Sequence, residues 1–91
     1  KGMTRGNHAH YNSKQLTLCV RGSCKIFIDN GKENREIILK NNNKGIIIEP
    51  YMWHHMFDFS EDCVLLILAS NEYDEKDYIR SYAEFKKFYR V

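Results

Sequence analysis

Short β-type runs separated by turn residues fill most of the chain, and this pattern restricts its fold more than any other feature. The runs cover residues 15–21, 24–29, 36–39, 45–49, 54–59 and 64–69. Between them, Asn30-Gly31 is the strongest local turn signal, and Gly22-Ser23 predicts a tight hairpin that joins the first two runs. Strands spaced this closely predict an all-β sandwich or barrel.

The pattern changes near the carboxyl end of the chain. From Asp74 onward, aromatic and aliphatic residues recur at helical spacing, with acidic residues first and Lys86-Lys87 last. Charges placed in this order complement the helix dipole, so we predict an amphipathic helix. Its apolar positions are Tyr78, Ile79, Tyr82, Phe85 and either Phe88 or Tyr89.

Length and composition exclude several classes of protein. The 91 residues suffice for one small domain, and a formal net charge of +2 gives no reason to expect a nucleic-acid partner. The longest apolar run, residues 63–69, is far shorter than the roughly 20 residues that cross a bilayer, so we expect no membrane association. Three cysteines without metal-finger spacing favour a cytoplasmic protein.

The run 15–21 is apolar on both of its faces. Strand alternation places Gln15, Thr17 and Cys19 on one face and Leu16, Leu18 and Val20 on the other. In a domain this small, a second subunit is the expected cover for the leucine-valine face. We therefore predict a homodimer that packs sheet against sheet.

The segment that carries chemistry contains His8 and His10. In an extended strand, residues i and i+2 point to the same face with Cα atoms roughly 6–7 Å apart, so the two imidazoles project side by side. Such a pair serves either as metal ligands or as acid–base groups, and two packed or surface histidines are the alternative interpretation.

The spacing around this pair resembles the first cupin motif. Four residues separate His10 from Gln15, and six more precede Gly22, while Gly45, Pro50 and His54 loosely resemble the second motif. The resemblance brings His54 close to His8 and His10, where the three could bind a transition metal. Metal-binding cupins usually carry glutamate in the place of Gln15, however, and an amide leaves the charge of the ion uncompensated. We therefore expect no metal.

Longer segments carry a closer resemblance. Residues 5–10 (Arg-Gly-Asn-His-Ala-His), 50–62, 65–70 and 73–80 are together similar to the dTDP-4-keto-6-deoxyglucose 3,4-ketoisomerases, the metal-independent, WxcM-like branch of the cupins. The resemblance implies a cupin jelly-roll barrel or sandwich with a C-terminal α-helix, a dTDP-sugar substrate, no cofactor, and dimers that exchange amino-terminal strands. It describes residues 1–91 as a single cupin domain that lacks the amino-terminal strands of its relatives.

The resemblance and the chemistry together assign roles to seven side chains. His10 is the candidate proton shuttle between C3 and C4 of the sugar and His8 its hydrogen-bonding partner, although the two roles could be exchanged. Asp58 is a candidate for holding a histidine tautomer. The candidate substrate-binding residues are Arg5, Gln15, Trp53 and His54.

Three of the substrate-binding assignments have alternatives. Gln15 either orients a histidine, hydrogen-bonds the sugar or is a plain buried amide. Arg5 faces away from the histidines unless a bulge interrupts the strand, and it either orients the loop, contacts the diphosphate or forms an ion pair on the surface. Trp53 either stacks on thymine or sugar or belongs to the core.

Two other functions compete with the ketoisomerase. A 3,5-epimerase of the same nucleotide sugars uses a related scaffold, but it typically pairs one histidine base with a tyrosine acid. A non-catalytic sensor or a metal-binding cupin module is the other alternative. The adjacent histidines together with Gln15 favour the isomerase.

Overall fold

The computed structural model describes residues 4–41 and 44–88, so Tyr89, one alternative for the last apolar helix position, lies outside the described residues. The described residues form eight strands, β1 Arg5–His10, β2 Gln15–Arg21, β3 Ser23–Asp29, β4 Asn34–Lys40, β5 Gly45–Ile48, β6 Trp53–Phe57, β7 Val64–Ala69 and β8 Tyr78–Ile79, followed by helix α1 Tyr82–Lys87. The strands make two antiparallel sheets, with the orders β4-β3-β6-β1-β8 and β5-β2-β7.

The two sheets face each other across an apolar core. It contains Cys19 from β2 and Ile48 from β5 on one side, and Ile26, Leu39 and Met56 from the larger sheet on the other. This two-sheet arrangement confirms the predicted all-β cupin jelly roll with a short C-terminal helix. No helix among the described residues is long and apolar enough to cross a membrane.

The predicted hairpin at Gly22-Ser23 is wrong. β2 belongs to the three-stranded sheet and β3 to the five-stranded sheet, so the chain crosses between sheets at this point. Gly22 makes the crossing with φ of +72°, and a Cβ there would lie 2.3 Å from Ser60 Oγ. The predicted turn at Asn30-Gly31 is confirmed, because it joins β3 to β4, which pair along their whole length, and the backbone N–H of Asn30 donates to the Glu33 carbonyl.

The predicted helix from Asp74 onward is also too long. Residues Glu75–Asp77 form a 3₁₀ turn that Asp74 caps, β8 follows, and Ser81 then caps the six-residue helix α1. The pairing of β8 with β1 takes Tyr78 and Ile79 out of any helix, since Ile79 lies opposite Ala9 and Tyr78 opposite His10. Phe85 is the helical residue that the interior buries.

A bulge in β1 decides which side chains enter the barrel. Gly6 pairs with His55 and His8 with His54, so Asn7 is one residue too many for the register. Because Arg5 pairs with Met56, two residues from His54, the bulge places Arg5 on the same face as His8. Both bulge residues have positive φ, +97° at Gly6 and +54° at Asn7.

Gly6→Ala should lower the free energy of unfolding by about 1–3 kcal/mol, measured by urea denaturation. The positive φ disfavours alanine, and its Cβ would lie 3.0 Å from both the His54 carbonyl oxygen and His55 Cα. Thr4→Ala, an exposed neighbour, is the matched control and should change stability little. An alanine variant as stable as the unsubstituted chain would mean that the bulge does not depend on glycine.

Candidate active site

Three imidazole rings meet inside the barrel. His8 and His10 project from β1, and His54 lies opposite His8 on β6. The centroid of the His8 ring lies 4.8 Å from that of His10 and 4.6 Å from that of His54, and the His10 and His54 centroids are 5.8 Å apart. The predicted proximity of the three histidines is therefore present in the structure.

The three histidines differ in which of their ring nitrogens have hydrogen-bond partners. His8 Nδ1 lies 2.9 Å from the Gly6 carbonyl oxygen and His54 Nδ1 lies 3.4 Å from that of Met52. A carbonyl oxygen only accepts, so each Nδ1 carries the proton and each neutral ring keeps Nε2 as its acceptor. His10 is buried, and neither of its ring nitrogens has a hydrogen-bond partner in the described chain.

Burial keeps all three rings neutral near pH 7. It lowers the pKa of His8 to about 4 and that of His54 to about 3, and the neighbouring imidazoles add a smaller effect in the same direction. Burial also lowers the pKa of His10, but the charge of Asp77 acts in the opposite direction. A neutral imidazole can accept a proton, as a general base must.

Tyr78 packs against two of the histidines and Arg80 lies over the Tyr78 ring, and neither residue was predicted to belong to the site. The ring centroid of Tyr78 lies 4.8 Å from that of His8 and 4.6 Å from that of His10. The Arg80 guanidinium lies 4.5 Å from the Tyr78 ring centroid and donates two hydrogen bonds to Glu75. The two-residue strand β8 is too short to show the alternation typical of a strand. The sequence pattern around Tyr78 and Arg80 therefore indicated a helix, which the structure does not form there.

The remaining predicted residues lie in different places. Gln15 lines a cavity of about 100 Å³ together with His10. Arg5 lines a neighbouring cleft of about 300 Å³ with Met56, Phe59 and Ile67. The bulge is therefore present and turns Arg5 inward, although Arg5 and His10 line different cavities.

Two side chains lie away from the histidines. Trp53 is buried on the opposite face of β6, where its ring packs against Tyr82 and Phe85, and this position favours the core-packing alternative. Asp58 forms an ion pair with Lys25, with Oδ2 3.1 Å from Nζ, so it has a partner other than a histidine. No group of three histidine, cysteine or acidic side chains within residues 4–41 and 44–88 is arranged to hold a metal ion.

The fold and the site together define a cupin whose interior is lined by neutral histidines. The chain belongs to the family described as FdtA: WxcM-like, C-terminal, whose model matches residues 1–90. A curated relative, the TDP-4-oxo-6-deoxy-alpha-D-glucose-3,4-oxoisomerase of Aneurinibacillus thermoaerophilus, is 48% identical over 84 residues. That match covers 92% of this chain but 60% of the relative's length.

Solved structures agree with this assignment. WlaRA, a TDP-fucose-3,4-ketoisomerase from Campylobacter jejuni, superimposes with a TM-score of 0.95 at 42% identity, covering 99% of this chain and 67% of that one. QdtA, a 3,4-ketoisomerase from Thermoanaerobacterium thermosaccharolyticum, superimposes with a TM-score of 0.92 at 43% identity, covering 97% and 64%. The latter structure is a variant in complex with TDP-4-keto-6-deoxyglucose.

The buried histidines should make stability depend on pH. The pKa of His54 is about 3 in the folded chain and about 6.5 when unfolded, so the unfolded state binds more protons below pH 6.5. The contribution of His54 to the free energy of unfolding is therefore fully present above that pH. As the pH falls from 6 to 4.5, protonation of His54 in the unfolded chain should lower the free energy of unfolding by about 1.4 kcal/mol for each pH unit. Urea denaturation across this range measures the slope.

Two variants separate this effect from the titration of carboxylates. His54→Leu should reduce the slope, because the remaining side chain does not titrate. Glu75→Gln should change the slope only near and below pH 4.5, since the Glu75 carboxyl has a pKa of about 4.5 in the unfolded chain and hydrogen bonds from Arg80 lower it to about 2 in the folded chain. Equal slopes in the His54→Leu and unsubstituted chains would contradict the assignment to His54.

Proposed function

We propose that this chain forms the catalytic domain of a nucleotide-sugar 3,4-ketoisomerase that converts dTDP-4-keto-6-deoxyglucose to a dTDP-3-keto-6-deoxyhexose. The observation that carries the proposal is the buried His10, whose ring nitrogens have no partner within the described residues, beside a second neutral imidazole, His8. Relatives that bear isomerase names share 42–48% of their aligned residues with this chain.

The reaction needs one group that both accepts and returns a proton. The C4 ketone acidifies the proton on C3, and its removal gives an enediolate that becomes the enediol when O4 gains a proton. Proton addition at C4 with loss of the O3 proton then gives the C3 ketone. A neutral imidazole can perform both steps without a cofactor. A hydrogen-bond donor near the developing enolate oxygen lowers the barrier further.

The hydrogen bonds of the two histidines favour one assignment of these roles. His10 has both nitrogens available, so it is the better candidate for the proton shuttle. His8 has one nitrogen committed to Gly6, which fixes its ring as a partner for the sugar oxygens. His54 supports His8 across the strand pair, and Gln15 lies where it can hydrogen-bond the hexose.

Binding of the anionic diphosphate of the substrate requires a cationic side chain near the opening of the barrel. Arg5 is exposed at the edge of the 300 Å³ cleft and is turned to the inner face by the bulge at Asn7. A guanidinium binds phosphate oxygens in bidentate geometry, so we assign Arg5 to this contact.

A single incubation with dTDP-4-keto-6-deoxyglucose distinguishes the ketoisomerase from its two alternatives. A ketone moved to C3 identifies the isomerase. Deuterium from solvent at both C3 and C5, with inversion, identifies a 3,5-epimerase. Binding without turnover identifies a sensor.

His10→Asn should lower turnover by about 10²–10⁴-fold and leave nucleotide binding nearly unchanged, as steady-state kinetics and calorimetry can measure. His55→Asn is the matched control, because His55 is the next residue after His54 but faces away from the site and stacks on Phe27. Near-normal turnover in His10→Asn would remove His10 from the mechanism. Turnover that survives dialysis against a chelator would support the metal-independent reaction.

We propose that the protein is cytoplasmic. The thiols of Cys19, Cys24 and Cys63 are all free, as expected in a reducing compartment. The net charge of +2 suits an anionic small ligand and gives no basis for nucleic-acid binding.

We also propose a homodimer formed through the outer face of the three-stranded sheet. Leu16 and Leu18 lie on that face, directly opposite further apolar side chains of β5 and β7. Several apolar residues of this face are far more exposed to solvent than core residues, with exposed fractions of 44% for Val20, 53% for Ile47, 44% for Leu66 and 53% for Leu68. A continuous apolar face of this kind usually marks an interface, and a second copy is the occupant that matches it on both sides.

Leu66→Lys should convert the dimer to a monomer at micromolar concentration, measured by analytical ultracentrifugation. The change places a charge in the centre of the proposed contact, where it would be desolvated without a partner. Ile38→Lys is the control, because Ile38 is 58% exposed on β4 of the other sheet. An unsubstituted chain that is monomeric under the same conditions would contradict the dimer.

A further inference from the structure

Asp77 is tied to the turn that follows His10. Its backbone carbonyl accepts a hydrogen bond from the Tyr11 N–H at 2.9 Å. Its carboxylate accepts from the next two backbone N–H groups, Oδ1 from Asn12 at 2.7 Å and Oδ2 from Ser13 at 3.2 Å. Three successive N–H groups therefore end on one residue, which fixes the backbone directly after His10.

The same carboxylate is an electrostatic neighbour of the His10 ring. Asp77 and His10 both line the 100 Å³ cavity, and Tyr78, the residue after Asp77, pairs with His10 across the strands. The negative charge of Asp77 favours protonated His10 and offsets part of the effect of burial on its pKa. No carboxylate of the described chain acts in this way on His8 or His54.

Other charged or titratable groups also face His10. Arg80 follows β8 and disfavours protonation of His10, and two acidic residues share the wall of the cavity. The groups around His10 are His8 on the same strand, His54 on β6, Tyr78 on β8, and Glu72 and Asp74 before the 3₁₀ turn.

We propose that Asp77 is a positioning residue for His10, which anchors the turn behind this histidine and supplies the negative charge that stabilises the protonated ring during proton transfer. The role of Asp77 in catalysis rests on the proposed function, whereas the electrostatic coupling between the Asp77 carboxylate and the His10 ring does not. His10 should therefore differ from the other two histidines of the site, because its protonation responds to the charge of a carboxylate.

Nuclear magnetic resonance titration of the histidines tests the coupling without any substrate. In Asp77→Asn, which keeps an oxygen acceptor for the turn but loses the charge, the pKa of His10 should fall further below its ordinary value. Asp77→Glu should restore it toward that of the unsubstituted chain. Asp74→Asn removes a charge from the same cavity wall and should leave the pKa of His10 unchanged. An unaltered His10 titration in Asp77→Asn overturns the inference.

A measurement on the unsubstituted chain keeps the test valid if Asp77→Asn does not fold. The carboxyl ¹³C resonance of Asp77 should shift at the pH where His10 gains its proton, and a resonance that does not respond there overturns the coupling.

Kinetics of the isomerisation separate the two proposals. Asp77→Asn should lower kcat by about tenfold at neutral pH with little change in KM, and should move the acidic limb of the pH profile in parallel with His10. A shifted His10 pKa in a chain without isomerase activity would overturn the proposed function and leave the coupling intact. A loss of kcat with an unshifted pH profile would reduce Asp77 to a structural role.

Discussion

The antiparallel pairing of β1 with β6 is the interaction on which the rest of the site depends. It places His8 opposite His54, and its one-residue bulge turns Arg5 toward the same interior. The pairing is favoured by Gly6, which adopts a φ of +97° in a place where a Cβ would lie 3.0 Å from the β6 backbone. A straight β1 would keep the two histidines side by side but direct Arg5 to the outside of the barrel.

Burial inside this barrel gives the histidines their chemistry. Each imidazole would be partly protonated at pH 6.5 in water, but the apolar interior favours the neutral form. The cost is a fold that acid weakens, since proton uptake is easier in the unfolded chain. A general base and an acid-sensitive core are thus two consequences of one environment.

The sequence predicted features that depend on local periodicity and missed those that depend on pairing between distant segments. The runs of β2, β3, β4 and β7 follow from alternation and turn residues, and the histidine pair follows from its i, i+2 spacing. The crossing at Gly22 was predicted as a hairpin, because a tight turn has the same residue types whether or not the next strand pairs with the previous one. β8 was predicted as helix, because its pairing with β1 joins residues about seventy positions apart.

The short segment from Asp74 to Arg80 shows why such pairing matters for the site. Asp77 contacts the turn after β1, Tyr78 packs against two histidine rings, and Arg80 lies over Tyr78. As a helix, this segment would distribute its side chains around a cylinder, and no single face would present all three. As a 3₁₀ turn followed by a strand, it sets one negative and one positive group against His10 with opposite effects on its pKa. Burial is thus the largest effect on the pKa of all three histidines, and His10 is the one whose pKa a carboxylate, that of Asp77, also raises.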